Sequence, residues 1–188
     1  MAKYLMIADT RRCIGCENCV IACKDLHVGN EFKGIAAPQP EKGQWWMTLE
    51  EKVEGKFPNV KVTYIPKPCM QCDNPVCANI PDKSISKRDD GIVLIDPAKN
   101  TGTMQDMYLC PYRVIFYNPD LNITQKCTFC AELLAKGDKV PACVAACPMG
   151  VFTFGLEDDP AVKAKLSQNP TPLHPEYGTQ PRVLYFWK

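Results

Sequence analysis

The chain has 188 residues, of which 22 are basic and 21 acidic, giving a net charge of +1. That balance gives no basic patch for nucleic acid, and no run approaches the roughly 18 apolar residues that span a bilayer. The length suits one compact unit, or one core with a tail, and the twelve cysteines and seventeen prolines suggest a loop-rich chain held in part by metal chemistry.

In chain order, Lys3 to Ala8 reads as a short strand; Met1 to Asp9, with one lysine and only this short apolar strand, is not read as a secretory signal. Arg11-Arg12 is followed at once by a cysteine rather than an apolar stretch, so it is not read as an export signal. Cys13, Cys16, Cys19 and Cys23 come next, with Glu17 to Lys24 as a short helix. Residues 29–58 read as an insertion, Gly- and Pro-rich at first and then Gln44-Trp45-Trp46-Met47. On a strand Trp45 and Trp46 would face opposite sides, one to the core and one to a partner; both in the core is the competing reading. Val60 to Ile65 alternates as a strand, and Pro66 to Cys77 is a loop with Cys69, Cys72 and Cys77. Ser84 to Arg88 and Ile92 to Ile95 flank Asp89-Asp90-Gly91 as a hairpin. Val114 to Tyr117 is a strand. Thr128 to Lys136 is a helix closed by Gly137. Val140 to Cys147 starts another helix, and Val151 to Phe154 is a strand. Asp158 to Leu166 is a helix with Pro160 in its first turn. Asn169 to Pro181 is a proline-rich arm, expected to lie across a partner, and Val183 to Trp187 is a last strand.

The cysteine spacing carries the chemistry. Cys13-x2-Cys16-x2-Cys19-x3-Cys23 is the bacterial ferredoxin run, in which three cysteines hold one [4Fe–4S] cluster and the fourth reaches to another. Asn100, Thr103, Asp106 and Cys110 repeat that spacing with three ligands replaced, and Gly102 stands where Gly15 does. The partner run, Cys69 to Cys77, should then lack its crossing cysteine, and Pro81 stands there. Four lost ligands are one lost cluster. Nested pairing assigns Cys13, Cys16, Cys19 and Cys147 to a first cluster. Cys127, Cys130, Cys143 and Cys23 go to a second, and Cys69, Cys72, Cys77 and Cys110 to a third. Soft thiolates suit such clusters.

Disulfides are disfavoured because cysteine stays below the roughly 8–10% of a disulfide scaffold, and because Cys-x-x-Cys signals metal or redox chemistry. Zinc ribbons use C-x2-C pairs, but zinc does not explain three ligands at two-residue intervals with a fourth after three. The expected fold is α+β: a doubled ferredoxin-like unit over residues 1–156 with the 29–58 insertion, followed by a C-terminal helix and arm over 157–188.

Arg88-Asp89-Asp90-Gly91-Ile92-Val93-Leu94-Ile95-Asp96, Cys110-Pro111-Tyr112 and Gln125-Lys126-Cys127-Thr128-x-Cys130 resemble the iron–sulfur subunit of the dimethyl sulfoxide reductase family of molybdenum or tungsten bis-pterin enzymes. Trp46-Met47, Pro68-Cys69-Met70-x-Cys72, Gly178-Thr179-x-Pro181-Arg182-Val183 and the erased run are similar to its transhydroxylase branch. That branch acts on hydroxylated aromatics of the pyrogallol and phloroglucinol kind, and its small subunit continues into a β-sandwich beyond the point matching Lys188. The resemblance implies a non-catalytic electron-transfer subunit with three [4Fe–4S] clusters. It further implies a heterodimer with a large catalytic subunit that carries a molybdenum or tungsten bis-pterin, in the cytoplasm or exported with that subunit. A respiratory reductase subunit and a free polyferredoxin are the alternatives. Lys24 and Lys126 sit beside cluster cysteines and would raise a nearby potential, with solvated lysines as the preferred reading. Arg113, His27 and His174 are expected at the surface.

Overall fold

The computed structural model describes residues 2–28, 40 and 46–188. Its centre is strand β1 (Tyr4–Asp9), buried along nearly its whole length. Its YLMIAD sequence is apolar on both faces because both faces are covered. Met6 and Ala8 point into the main core, whereas Leu5 and Ile7 pack against Val162 and Phe186 on the other side. β1 pairs antiparallel with β8 (Phe152–Leu156) and parallel with β10 (Val183–Phe186). The sheet order is β8-β1-β10-β9, with β9 being Thr171–Pro172. The segment after residue 156 thus supplies two of the four strands. Helix α5 (Pro160–Leu166) covers that sheet. Pro160 occupies its first turn, and the Asp159 carboxylate accepts the Ala161 N–H at 2.8 Å, a standard N-cap.

Three two-stranded hairpins complete the strands. β4 (Ile85–Lys87) and β5 (Val93–Ile95) form the hairpin expected around Asp89-Asp90-Gly91. β6 (Ile115–Asn118) pairs with β7 (Ile123–Lys126), and β7 was not anticipated. The third hairpin corrects the expected insertion. β2 (Thr48–Lys56) takes its second half and pairs in full register with β3 (Asn59–Lys67), from Thr48↔Lys67 to Lys56↔Asn59. LEEKVEGK carries charge on both faces and shows no apolar alternation, so only its pairing with β3 reveals it as a strand. The hairpin projects outward, with Phe57 at its tip 93 % exposed.

Helix α1 is Asn18–His27, α2 Gln105–Leu109, α3 Ala131–Ala135 and α4 Ala142–Ala145. α1 runs three residues beyond the expected Lys24, α2 was not anticipated, and α3, α4 and α5 are shorter than the sequence suggests. Phe129 and Cys130 take left-handed backbone, φ +55° and +51°, which keeps Thr128 to Cys130 out of α3. Trp46 and Met47 are buried in the core, which both readings of the Trp45-Trp46 pair allow; Trp45 lies outside the described residues. Arg182, 7 % exposed, ties the two ends of the chain together. It donates to Glu157 at 2.6 Å, to Asp73 at 3.1 Å and to the Tyr4 carbonyl at 2.8 Å. Among the described residues no helix is long and apolar enough to cross a membrane.

Candidate metal centre

Four short cysteine-bearing loops share one backbone device. The residue two positions after the first member of each run has positive φ: Gly15 at +75°, Gln71 at +48°, Gly102 at +68° and Phe129 at +55°. The left-handed turn lets a backbone N–H point back at the preceding sulfur. Phe129 N–H reaches Cys127 Sγ at 3.4 Å, and Gly15 N–H likewise stabilises the Cys13 thiolate. Gly15 and Gly102 also lack room for a Cβ, which would lie 2.7 Å from the Tyr64 ring and 2.4 Å from the Asn122 carbonyl. The resemblance between the first run and the erased one extends further. Glu17 and Met104, four residues into each, are both left-handed at φ +60° and +58°, and each precedes its helix, α1 or α2.

The cysteines gather in three groups. Cys69, Cys72, Cys77 and Cys110 line one cavity with an empty volume of about 350 Å³. Cys23, Cys127, Cys130 and Cys143 line a second, of about 300 Å³. Cys13, Cys16, Cys19 and Cys147 lie close enough for the negative charge of Cys147 and Cys16 to raise Cys13, and that of Cys13, Cys147 and Cys16 to raise Cys19. Burial is the largest cause at Cys19, pushed up to about 12. It is also the largest cause at Cys72, Cys77 and Cys127, each pushed up to about 12, and it drives Cys23 and Cys143 well up. Thiols this reluctant to ionise need a cation to displace their protons, and metal binding does that. Among the described residues no three His, Cys, Asp or Glu side chains converge as one metal ion would require. Three sets of four soft donors, two of them around cavities, fit a cluster with its ligands spread around it.

The groups form a series. Cys143 feels Cys19 of the first group as well as the members of its own. Cys127 feels Cys69 of the third and is stabilised by the Cys69 N–H. Cys16 is exposed and Cys13 and Cys147 are half-buried, so the first group lies nearest the surface.

The erased run is filled by polar side chains. Asp106 is 2 % exposed, and Thr124 Oγ1 donates to its carboxylate. Asn100 donates to Thr124 Oγ1 at 2.8 Å and to Ser84 Oγ at 3.3 Å, and accepts the Thr124 N–H at 2.9 Å. Burial raises the Asp106 carboxyl.

Two expectations are corrected. His27 is not at the surface: it is 1 % exposed, packed on Trp46 with ring centroids 3.8 Å apart and the rings tilted by 39°. Its Nδ1 lies 2.7 Å from the Cys23 carbonyl and its Nε2 3.0 Å from Glu132. It sits at i+4 from Cys23 on α1, the face that turns inward. Lys126 is not solvated but 2 % exposed, because it ends β7, whose four residues are all buried. Lys24 is half-buried and donates to the Pro40 carbonyl at 2.6 Å. Arg113 and His174 are at the surface. Sequence reasoning missed Gln71, Glu132 and Thr179. Thr179 hydrogen-bonds Tyr112 at 2.8 Å and its hydroxyl stabilises the Cys72 thiolate. The Gly178-Thr179 phrase was its one signal; neither Gln71 nor Glu132 had any.

The family described as a 4Fe-4S dicluster domain matches residues 60–157. The pyrogallol hydroxytransferase small subunit of Pelobacter acidigallici is 38% identical over 98% of this chain and 69% of its own length. Protein NrfC of Escherichia coli is 33% identical over 96% of this chain and 79% of its own. A tetrathionate reductase subunit of Salmonella typhimurium is 33% identical over 97% and 72%. With a 4Fe–4S domain matching more than half of it and relatives of this kind spanning nearly all of it, the chain belongs to the iron–sulfur electron-transfer subunits of molybdoenzyme complexes.

Proposed function

We propose that this subunit holds three [4Fe–4S] clusters, ligated by Cys13, Cys16, Cys19 and Cys147; by Cys23, Cys127, Cys130 and Cys143; and by Cys69, Cys72, Cys77 and Cys110. When bound, each cluster takes up and releases one electron. The observation that carries the reading is the division of all twelve cysteines into three adjoining groups of four. The chain's own part is to space the groups, exclude water from two of them and aim N–H and O–H donors at the sulfurs, which favours the more negative state. The four matching left-handed turns support descent from a doubled ferredoxin unit over residues 1–156, with 157–188 closing its sheet and offering an outer face to a partner.

The partner is a large catalytic subunit with a molybdenum or tungsten bis-pterin, of transhydroxylase type and acting on hydroxylated aromatics. The 38% identity to a hydroxytransferase small subunit supports this choice. The erased fourth run supports it further, since it shortens a cluster series that a long respiratory path would need. The second reading, a respiratory reductase subunit, draws on the 33% identity to a tetrathionate reductase subunit. Anaerobic purification from native cells decides: a stoichiometric large subunit with molybdenum or tungsten that acts on pyrogallol is expected. Activity on tetrathionate instead would favour the second reading, and a brown chain that purifies alone would refute both.

A further inference from the structure

Lys126 is one of the largest fully buried side chains of the molecule. Its Nζ donates to the Val93 carbonyl and, at 3.2 Å, to the Cys127 carbonyl. Val93 lines the cavity of the third cysteine group and Cys127 that of the second. Gln71, fully buried, spans the same two backbone segments: it donates to the Cys127 carbonyl at 2.9 Å and accepts the Val93 N–H at 2.7 Å. Lys126 and Gln71 thus both bridge the Val93 and Cys127 backbone segments, one beside each cavity.

Among the described residues, no carboxylate lies within ion-pair distance of Lys126. A buried ammonium with only carbonyl partners is costly unless an opposite charge lies nearby. The cluster sites supply it: the Nζ sits on the carbonyl of Val93, which lines the cavity of the third group, and at 3.2 Å on that of Cys127, a cysteine of the second. A cluster with four thiolates is net negative and gains one more negative charge on reduction, so a fixed cation beside it favours the reduced form. Thr179 lines the same cavity as Cys72 and Cys77, and a hydroxyl beside the sulfurs acts in the same direction.

We infer that Lys126 is the built-in counter-charge of the third cluster site and makes it the site in which an electron comes to rest. The inference builds on the cluster assignment above. It makes the third site a store at the end of the series, beside the erased fourth.

The test is an EPR-monitored redox titration of the intact subunit, purified anaerobically with its partner, in wild type and in Lys126→Met, Lys126→Gln and Lys126→Arg. Thr179→Val, whose hydroxyl reaches Cys72, marks the midpoint that belongs to the third site. With Met or Gln, the reduced-to-oxidised ratio of the third site at a fixed solution potential should fall at least tenfold, or about 59 mV for one electron. The second site should shift less and the first should stay put, and Lys126→Arg should restore the wild-type order. Full iron with an unmoved third site, or an equal shift at all three, would overturn the inference. Loss of clusters from all three Lys126 variants would assign the lysine to folding and overturn it too. A wild-type protein with iron for only two clusters would instead refute the assignment on which the inference rests.

Discussion

Nε2 of His27 lies 3.0 Å from Oε1 of Glu132, although the two are 105 residues apart in sequence and each side chain is 1 % exposed. The pair locks α1 to the start of α3, and so Cys23 to Cys130. Glu132 also accepts the Thr128 hydroxyl at 2.9 Å. Burial works to raise its carboxyl, but the bonds from His27, its own backbone and Thr128 outweigh burial and hold it below its ordinary value. Glu132→Leu strands two buried donors, at a cost of about 1–3 kcal/mol each. The variant should bleach its second cluster at lower urea than wild type, and Glu132→Gln should fall between them.

Asp106, Asn100, Thr124 and Ser84 form one polar network at the positions that repeat the cysteine spacing, as the proposed loss of a cluster there requires. Pro81→Cys, Asn100→Cys, Thr103→Cys and Asp106→Cys, made together, should restore a fourth cluster and add about four iron atoms per chain. An unchanged iron count would argue against the erased-run reading. Asp106→Leu alone should instead cost about 1–3 kcal/mol by stranding the Thr124 hydroxyl, seen as a lower thermal midpoint at unchanged iron.

Much of this was legible in the sequence because cluster ligation imposes spacing. Cys13 to Cys23 and the erased run at Asn100 announce themselves residue by residue, and Gly15 and Gly102 even reveal their left-handed turns. Strands with apolar alternation, such as β3, were visible for the ordinary reason. What stayed hidden depends on tertiary context. β2 is charged on both faces and exists by pairing. β10 enters the central sheet across the whole length of the chain, so no local pattern sets its neighbours. His27 and Lys126 read as surface residues by type, and only the packing of α1 and β7 buries them beside cysteines.

Arg182 provides a pH-dependent clamp. At Asp73 burial raises the carboxyl, but hydrogen bonds from Lys87, Lys3 and Arg182 bring it down to about 2. At Glu157 the Arg182 hydrogen bond is the largest cause and lowers it. Both folded values lie below the unfolded ones of about 3.9 and 4.3. Their stabilisation is therefore complete above about pH 5 and is lost as the pH falls through the folded values. Arg182→Met should cost on the order of 2 kcal/mol at pH 7, after allowance for the partial exposure of both carboxylates. Its gap from wild type should narrow below about pH 4. Limited proteolysis across that range would check both the gap and its slope.

Gly15→Ala meets the Tyr64 ring and a left-handed backbone at once. It should weaken the first cluster selectively, with a chelator removing about a third of the iron several-fold faster than from wild type, since one of three clusters is affected. An unaltered release profile would mean that Tyr64 yields and the turn tolerates a side chain.

The central claim is that three clusters occupy three groups of four cysteines while a fourth site has been closed by side chains. Iron and acid-labile sulfide, counted per chain on anaerobically purified protein, test it most directly. About twelve of each is the expected result. About sixteen would mean that a non-cysteine ligand such as Asp106 still holds a cluster, and about eight would mean that one of the three groups binds none; either would contradict the account.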